Sequence, residues 1–186
     1  APALRVNEHT PKALLEAGFC IDSSTAPQRF DFFLSFGGWK KLKWLLSPRL
    51  PYYTSKESLL KKGDSEIFEV PLNSFFISYI GTTMRMFPAM AAVMRRLVNL
   101  EYKMHDKPLN FLFHPNEIID ESDEVVDKIG KRTSNYLKYL LADKLRRNLK
   151  TKNLGAPGFE LYKKQVDYFI KKDYRFITLK EYKNIY

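Results

Sequence analysis

Leu109-Asn110-Phe111-Leu112-Phe113-His114-Pro115-Asn116-Glu117 is a short apolar run that stops at an imidazole, followed by a proline that cannot continue a strand ladder. The run reads as a buried strand over Leu109–Phe113 with His114 at its C-terminal tip. That tip is where parallel α/β proteins keep their chemistry. Working outward, the same pattern of an apolar run and an abrupt polar exit recurs. Phe19 to Ile21 is stopped by Asp22-Ser23-Ser24, Ile67 to Val70 is ended by Pro71, and Tyr174 to Thr178 forms a last run.

Helical patterns separate these runs. Thr10 is placed to cap, Pro11 suits the first turn, Ala13, Leu14, Leu15 and Ala17 follow, and Gly18 ends the segment. Ser55 opens a short helix through Leu60. Pro88 to Tyr102 carries Met90, Val93, Met94, Leu97 and Val98 on one apolar face. A long helix is expected over Asp123–Lys150, a break at Gly155-Ala156-Pro157-Gly158, a helix over Phe159–Lys172 and a short helical tail over Leu179–Tyr186. Pro27 to Pro51 is irregular and rich in aromatic and basic residues. Strands alternating with helices imply an α/β fold with parallel pairing and right-handed crossovers. With only about four strands, the sheet either closes as a small doubly wound domain or is part of a barrel whose edges need partners.

The chain has 186 residues, 45% hydrophobic and 28% charged, which fits one soluble globular domain with a real core. Aromatic residues make up 15%; they fill cores, and flat rings also suit the faces of sugars. The net charge of +10 gives a weak long-range attraction for anionic partners. Its basic residues are scattered, and no arginine-rich arm, zinc finger or stacking platform points to nucleic acid. A single cysteine rules out an internal disulfide, and Cys20, inside an expected strand, reads as a small buried hydrophobe. No secretory leader is visible, and the most apolar stretch, Phe75 to Val98, is interrupted by Arg85, Arg95 and Arg96, so no transmembrane segment is expected.

In a parallel sheet the strand C-termini share one face, which gathers Asp22, Pro71-Leu72-Asn73 and His114 around one mouth, with Ala1-Pro2-Ala3 joining if they leave an earlier strand. Two readings stand side by side. Asp22 orients the His114 ring and raises its basicity for acid–base work, or Asp22 serves a turn and His114 is a satisfied histidine. His9 and His105 lie in polar surroundings, and no His-x-x-x-His pair, phosphate loop or Gly-x-Ser-x-Gly elbow occurs.

Five stretches occur in a telling order: Ala1-Pro2, Glu16-Ala17-Gly18, Asp22-Ser23-Ser24, Glu69-Val70-Pro71 and His114-Pro115-Asn116-Glu117, with Tyr174-Arg175-Phe176-Ile177-Thr178-Leu179-Lys180-Glu181-Tyr182 closing the chain. Together they resemble the NodB-type polysaccharide deacetylases, carbohydrate esterase family 4. The resemblance implies an incomplete parallel-strand (β/α) barrel, with residues 1–186 forming the C-terminal part of one catalytic domain. It implies a hydrolase that removes N- or O-acetyl groups from a glycan by metal-activated water. His114 matches the histidine that protonates the leaving amine, Asp22 is its expected catalytic companion, and Pro2, Leu72 and Asn116 are the expected substrate-binding residues. Asn116 stands where the family has tryptophan. The family's zinc ligands and base lie upstream of the matched stretches, so no metal ligand is expected in this chain, the missing N-terminal half is its expected partner, and the chain alone is expected not to hydrolyse acetamides. The alternatives are a non-catalytic carbohydrate-binding remnant and a basic module for anionic surfaces.

Overall fold

The computed structural model describes residue 4 and residues 6–27, 44–120, 148–149 and 151–186. Pro2, most of the irregular stretch Pro27–Pro51 and nearly all of the helix expected over Asp123–Lys150 lie outside the described residues. The chain divides into two compact units, one built from residues 1–79, 94–111 and 175–186, the other from 80–93 and 112–174.

The first unit opens with helix α1, Thr10–Glu16. Its N-cap is His9 rather than Thr10, because Asn7 Oδ1 accepts from the His9 N–H and the Thr10 hydroxyl and so sets the entry turn one residue earlier. Pro11 sits in the first turn as expected. Gly18, at φ +78°, ends the helix, with Gly18 N–H donating to Leu15 O and Phe19 N–H to Leu14 O.

Three short strands follow: β1, Ile21–Asp22; β2, Tyr52–Tyr53; and β3, Phe68–Glu69. They form one sheet in the order β1-β3-β2. β1 runs parallel to β3, pairing Ile21 with Phe68 and Asp22 with Glu69. β2 runs antiparallel, setting Tyr52 opposite Glu69 and Tyr53 opposite Phe68. The sheet is therefore mixed, not purely parallel as the alternation of elements suggested. Cys20 precedes β1 and is exposed, which corrects its reading as a buried hydrophobe; its carbonyl accepts from Phe68 N–H at 2.9 Å.

Side chains alternate across these strands. Phe68 faces Tyr53, Tyr182 and Tyr186, with ring centroids 5.2, 6.3 and 4.8 Å away. The last two come from helix α5, Leu179–Ile185, numbered last in the chain, which Thr178 and Glu181 cap reciprocally. Ile67, Val70, Leu72, Leu59 and Tyr79 complete the buried centre of this unit.

Two expectations change, and one pair of strands appears that the sequence did not announce. Ser55–Leu60 is a turn, not a helix: the Ser55 hydroxyl accepts from Ser58 N–H at 3.0 Å, and an isolated Thr54–Lys62 bridge ties the loop. Strands β4, Ser74–Phe75, and β5, Ile77–Ser78, make a tight antiparallel pair around Phe76 at φ +62°. The segment Tyr174–Thr178 forms no strand; Thr178 serves instead as the N-cap of α5.

Helix α2, Gly81–Met86, and helix α3, Pro88–His105, come next, and the unit boundary falls within α3. Along α3 the buried positions are Ala91, Met94 and Val98, while Met90, Val93 and Leu97 are exposed, so the buried stripe is rotated from the one read in the sequence. The run Leu109–Phe113 does not build a ladder. Only Leu112 bridges, in parallel, to Ile80. Helix α4, Ala156–Ile170, starts earlier than expected because Gly155 takes φ +69° and Pro157 occupies the first turn. Among the described residues no helix is long and apolar enough to cross a membrane.

Candidate functional site

The Asp22-Ser23-Ser24-Thr25 stretch is the knot of the first unit. Val70 N–H donates to Asp22 O at 2.9 Å and Leu72 N–H to Thr25 O at 2.8 Å, which carries the parallel pairing of β1 and β3 past their ends. The four side chains then take different partners. Thr25 donates to Glu69 Oε1 twice, from its N–H at 3.0 Å and from its hydroxyl at 2.7 Å. The Ser24 hydroxyl donates to Asp22 Oδ1 at 2.9 Å. Asn110 Nδ2 donates to Ser23 Oγ at 2.6 Å and to Val70 O at 2.8 Å. Asp22 and Glu69 are register partners in the parallel pair.

Both carboxyls are buried, Glu69 at 0% exposure and Asp22 at 8%. Burial, then the negative charge of Asp22, pushes the Glu69 carboxyl up to about 8, against the opposing pull of the Thr25 bonds. Tyr52, opposite Glu69 on β2, is likewise pushed up, first by burial and then by Glu69, so its phenol stays neutral; its hydroxyl donates to Leu59 O. The sequence stretches around Asp22 and Glu69 thus meet at the C-terminal ends of β1 and β3. Leu72 follows directly and is buried.

The His114 stretch contributes to both units by different means. In the first unit, Asn110 N–H donates to Asn73 Oδ1 at 2.6 Å and Asn110 O accepts from Asn73 N–H at 3.2 Å. The Asn73 side chain thus takes the Asn110 N–H that a strand partner would have used, and Pro108 offers no N–H, which is why the expected ladder fails. In the second unit, His114 caps a 3-10 turn, Pro115–Ile118. His114 and Asn116 are exposed. Glu117 N–H donates to His114 O at 2.9 Å, and Glu117 Oε2 accepts from His114 N–H at 3.4 Å. Glu117 itself is buried beside Arg85, with Nε to Oε1 at 3.8 Å, and accepts from the Thr82 hydroxyl at 2.5 Å. Burial lowers the Arg85 guanidinium from its ordinary value, and Glu117 opposes that shift. Asp22 belongs to the first unit and His114 to the second.

Sequence reasoning missed a second charged cluster in the first unit. Arg49 donates through Nε and Nη2 to Glu101 Oε1 at 2.9 and 2.7 Å, and through Nη1 to Ser74 O at 3.0 Å. Lys107 Nζ, fully buried, reaches Glu101 Oε2 at 3.2 Å. Burial brings the Lys107 ammonium down to about 8, while Glu101 resists and Arg49 adds to the fall. Nothing in the local pattern marks these residues, since Arg49 lies in an irregular stretch and Glu101 on a charged helix end. Glu69 was legible in principle, as a carboxylate inside the otherwise apolar run Ile67-Phe68-Glu69-Val70.

Among the described residues no group of three His, Cys, Asp or Glu side chains is placed to hold a metal ion. Asp22 and Glu69 bring two carboxyls together, and the described side chains beside them are threonine, serine and tyrosine, a set that does not by itself make a zinc centre. Comparisons with protein-family models, with curated proteins and with solved structures found no match.

Proposed function

We propose that this chain is the C-terminal part of a polysaccharide-deacetylase-type hydrolase, acting on acetylated glycans. The observation that carries the reading is the order of the five sequence stretches. It is supported by the way two of them, Asp22-Ser23-Ser24 and Glu69-Val70-Pro71, end parallel neighbouring strands in register. In this reading His114 is the acid that delivers a proton to the departing amine, which suits an exposed imidazole at the start of a 3-10 turn. Asn116, exposed two residues after His114 in the same unit, is the glycan-contacting residue of this reading, whereas Leu72 is buried in the first unit and serves its core. The metal ligands and the base that activates water are supplied by polypeptide upstream of the matched stretches.

The test is acetate release from N-acetylated chitooligosaccharides in the presence of zinc. A longer polypeptide that carries an upstream metal-binding segment is expected to turn over, and His114→Ala is expected to lower its kcat by about 10²- to 10³-fold. The 186-residue chain alone is expected to release none. Turnover by that chain alone, or an unaffected His114→Ala variant, contradicts the reading.

A further inference from the structure

Helix α3 is apolar on two sides. Ala91, Met94 and Val98 enter the core, yet Met90, Val93, Leu97, Leu100 and Met104 lie on the surface, from 38% exposed at Met90 to 65% at Met104. Single exposed apolar residues are ordinary, but a row of them marks a contact surface. These five recur at alternating steps of three and four residues along one continuous helix. That is the heptad alternation, and over two heptads it drifts only about 40° around a straight helix, so the side chains share one narrow seam. A seam this narrow suits a second helix, whereas a helix lying in a lipid surface presents a broader apolar face. The flanks of the seam differ in charge. Arg96 and Lys103, seven residues apart and both exposed, line one flank. The acid of the other flank, Glu101, is turned inward to Arg49 and Lys107. The exposed rim is therefore basic.

We propose that the exposed seam of α3 docks an amphipathic helix of a partner protein that carries acidic residues beside its own apolar stripe. The apolar stripe of the partner covers Met90, Val93, Leu97, Leu100 and Met104, and its acids meet Arg96 and Lys103, which sets the orientation of the pair. A second copy of this chain is a poorer occupant. Laid antiparallel on the seam, its Arg96 and Lys103 would face the same two cations; laid parallel, they would face Glu101, whose oxygens already serve Arg49 and Lys107. The inference concerns a surface remote in sequence from His114 and does not depend on the deacetylase reading.

The experiment is fluorescence anisotropy of two labelled synthetic helices, each about three heptads long with leucine at the seam positions, titrated with the 186-residue chain. One carries glutamate on both flanks and the other lysine. The acidic helix is expected to bind on the order of tenfold more tightly than the basic one. Leu97→Asp with Leu100→Asp is expected to weaken its binding by about tenfold or more. Arg96→Glu with Lys103→Glu is expected to reverse the preference between the two helices, and this pair decides the question should the leucine variant fail to fold. No binding, equal binding of the two helices, or binding untouched by either variant overturns the proposal. Sedimentation of the free chain as a dimer that the leucine variant dissociates overturns it in favour of a second copy. Cosedimentation with phosphatidylserine vesicles that the leucine variant abolishes overturns it in favour of a lipid surface.

Discussion

Two glutamates in the same unit, Glu69 buried and Glu101 half-buried, meet opposite surroundings. Glu69, at the end of β3, meets another carboxyl and, among the described residues, no cation, and burial drives it towards the neutral acid. Glu101, on α3, meets Arg49 and Lys107, and its charge is matched by two cations. A carboxylate leaves water at a cost of several kcal/mol, and it recovers that cost either from a partner of opposite sign or by taking up a proton. The difference teaches what each place can do. A carboxylate bonded to cations serves the fold, whereas the Glu69 carboxyl changes charge within reach of ordinary pH. Glu117, with Arg85 alone, falls between them. Glu181, fully exposed, shows the fourth case: bonds from the Thr178 N–H and hydroxyl hold it below the usual carboxylate range.

The comparison breaks most visibly at Glu101. Glu101→Ala strands the fully buried Lys107 ammonium and leaves Arg49 without its carboxylate, so it is expected to cost about 3–5 kcal/mol in urea unfolding at pH 7. A loss under about 1 kcal/mol would mean that the cations are not held by this carboxylate. A smaller effect sharpens the intermediate case without altering charge. A methyl group added at Gly81 would overlap Glu117 Oε2 and press on Phe113 Cδ2 at 2.8 Å, displacing the carboxylate from Arg85. Gly81→Ala is expected to cost about 1–3 kcal/mol by the same measurement. The smallest effect belongs to the exposed carboxylate. Thr178→Ala removes the reciprocal cap and is expected to speed amide hydrogen exchange in Leu179–Ile185 a few-fold while leaving exchange in β3 unchanged.

The parts of the fold that could be read in the sequence are those with local chemical causes. Pro11 and Gly18 bracket α1, Gly155 and Pro157 start α4, and Thr178 with Glu181 starts α5. What escaped reading depends on distant partners. Phe76 turns the β4–β5 pair without the glycine or asparagine that usually signals such a turn. Gly81, which suggests a break, opens α2 because only a residue without a side chain fits against Glu117. Asn73 and Asn110 exchange bonds across 37 residues of sequence and replace a ladder that the apolar run Leu109–Phe113 seemed to promise. At the site, Asp22 stood out by its place after a strand, but the identity of its neighbour Glu69 follows from strand register, which no short pattern encodes.

Titration separates the two neutralisation modes by sign. Glu69 binds its proton more tightly when folded, so its contribution to stability is fully present below about pH 4.5 and is lost as pH rises towards about 8. Lys107 releases its proton more readily when folded, so it works in the other direction, and stability recovers as pH rises from about 8 towards 10.5. The most direct measurement is therefore the unfolding free energy of the parent chain and of Glu69→Gln at pH 5 and at pH 8. The account predicts that the parent loses on the order of a few kcal/mol more than the variant over that interval, as follows from a shift of this size at about 1.4 kcal/mol per pH unit. Equal losses in the two proteins would contradict a proton held by Glu69 in the fold.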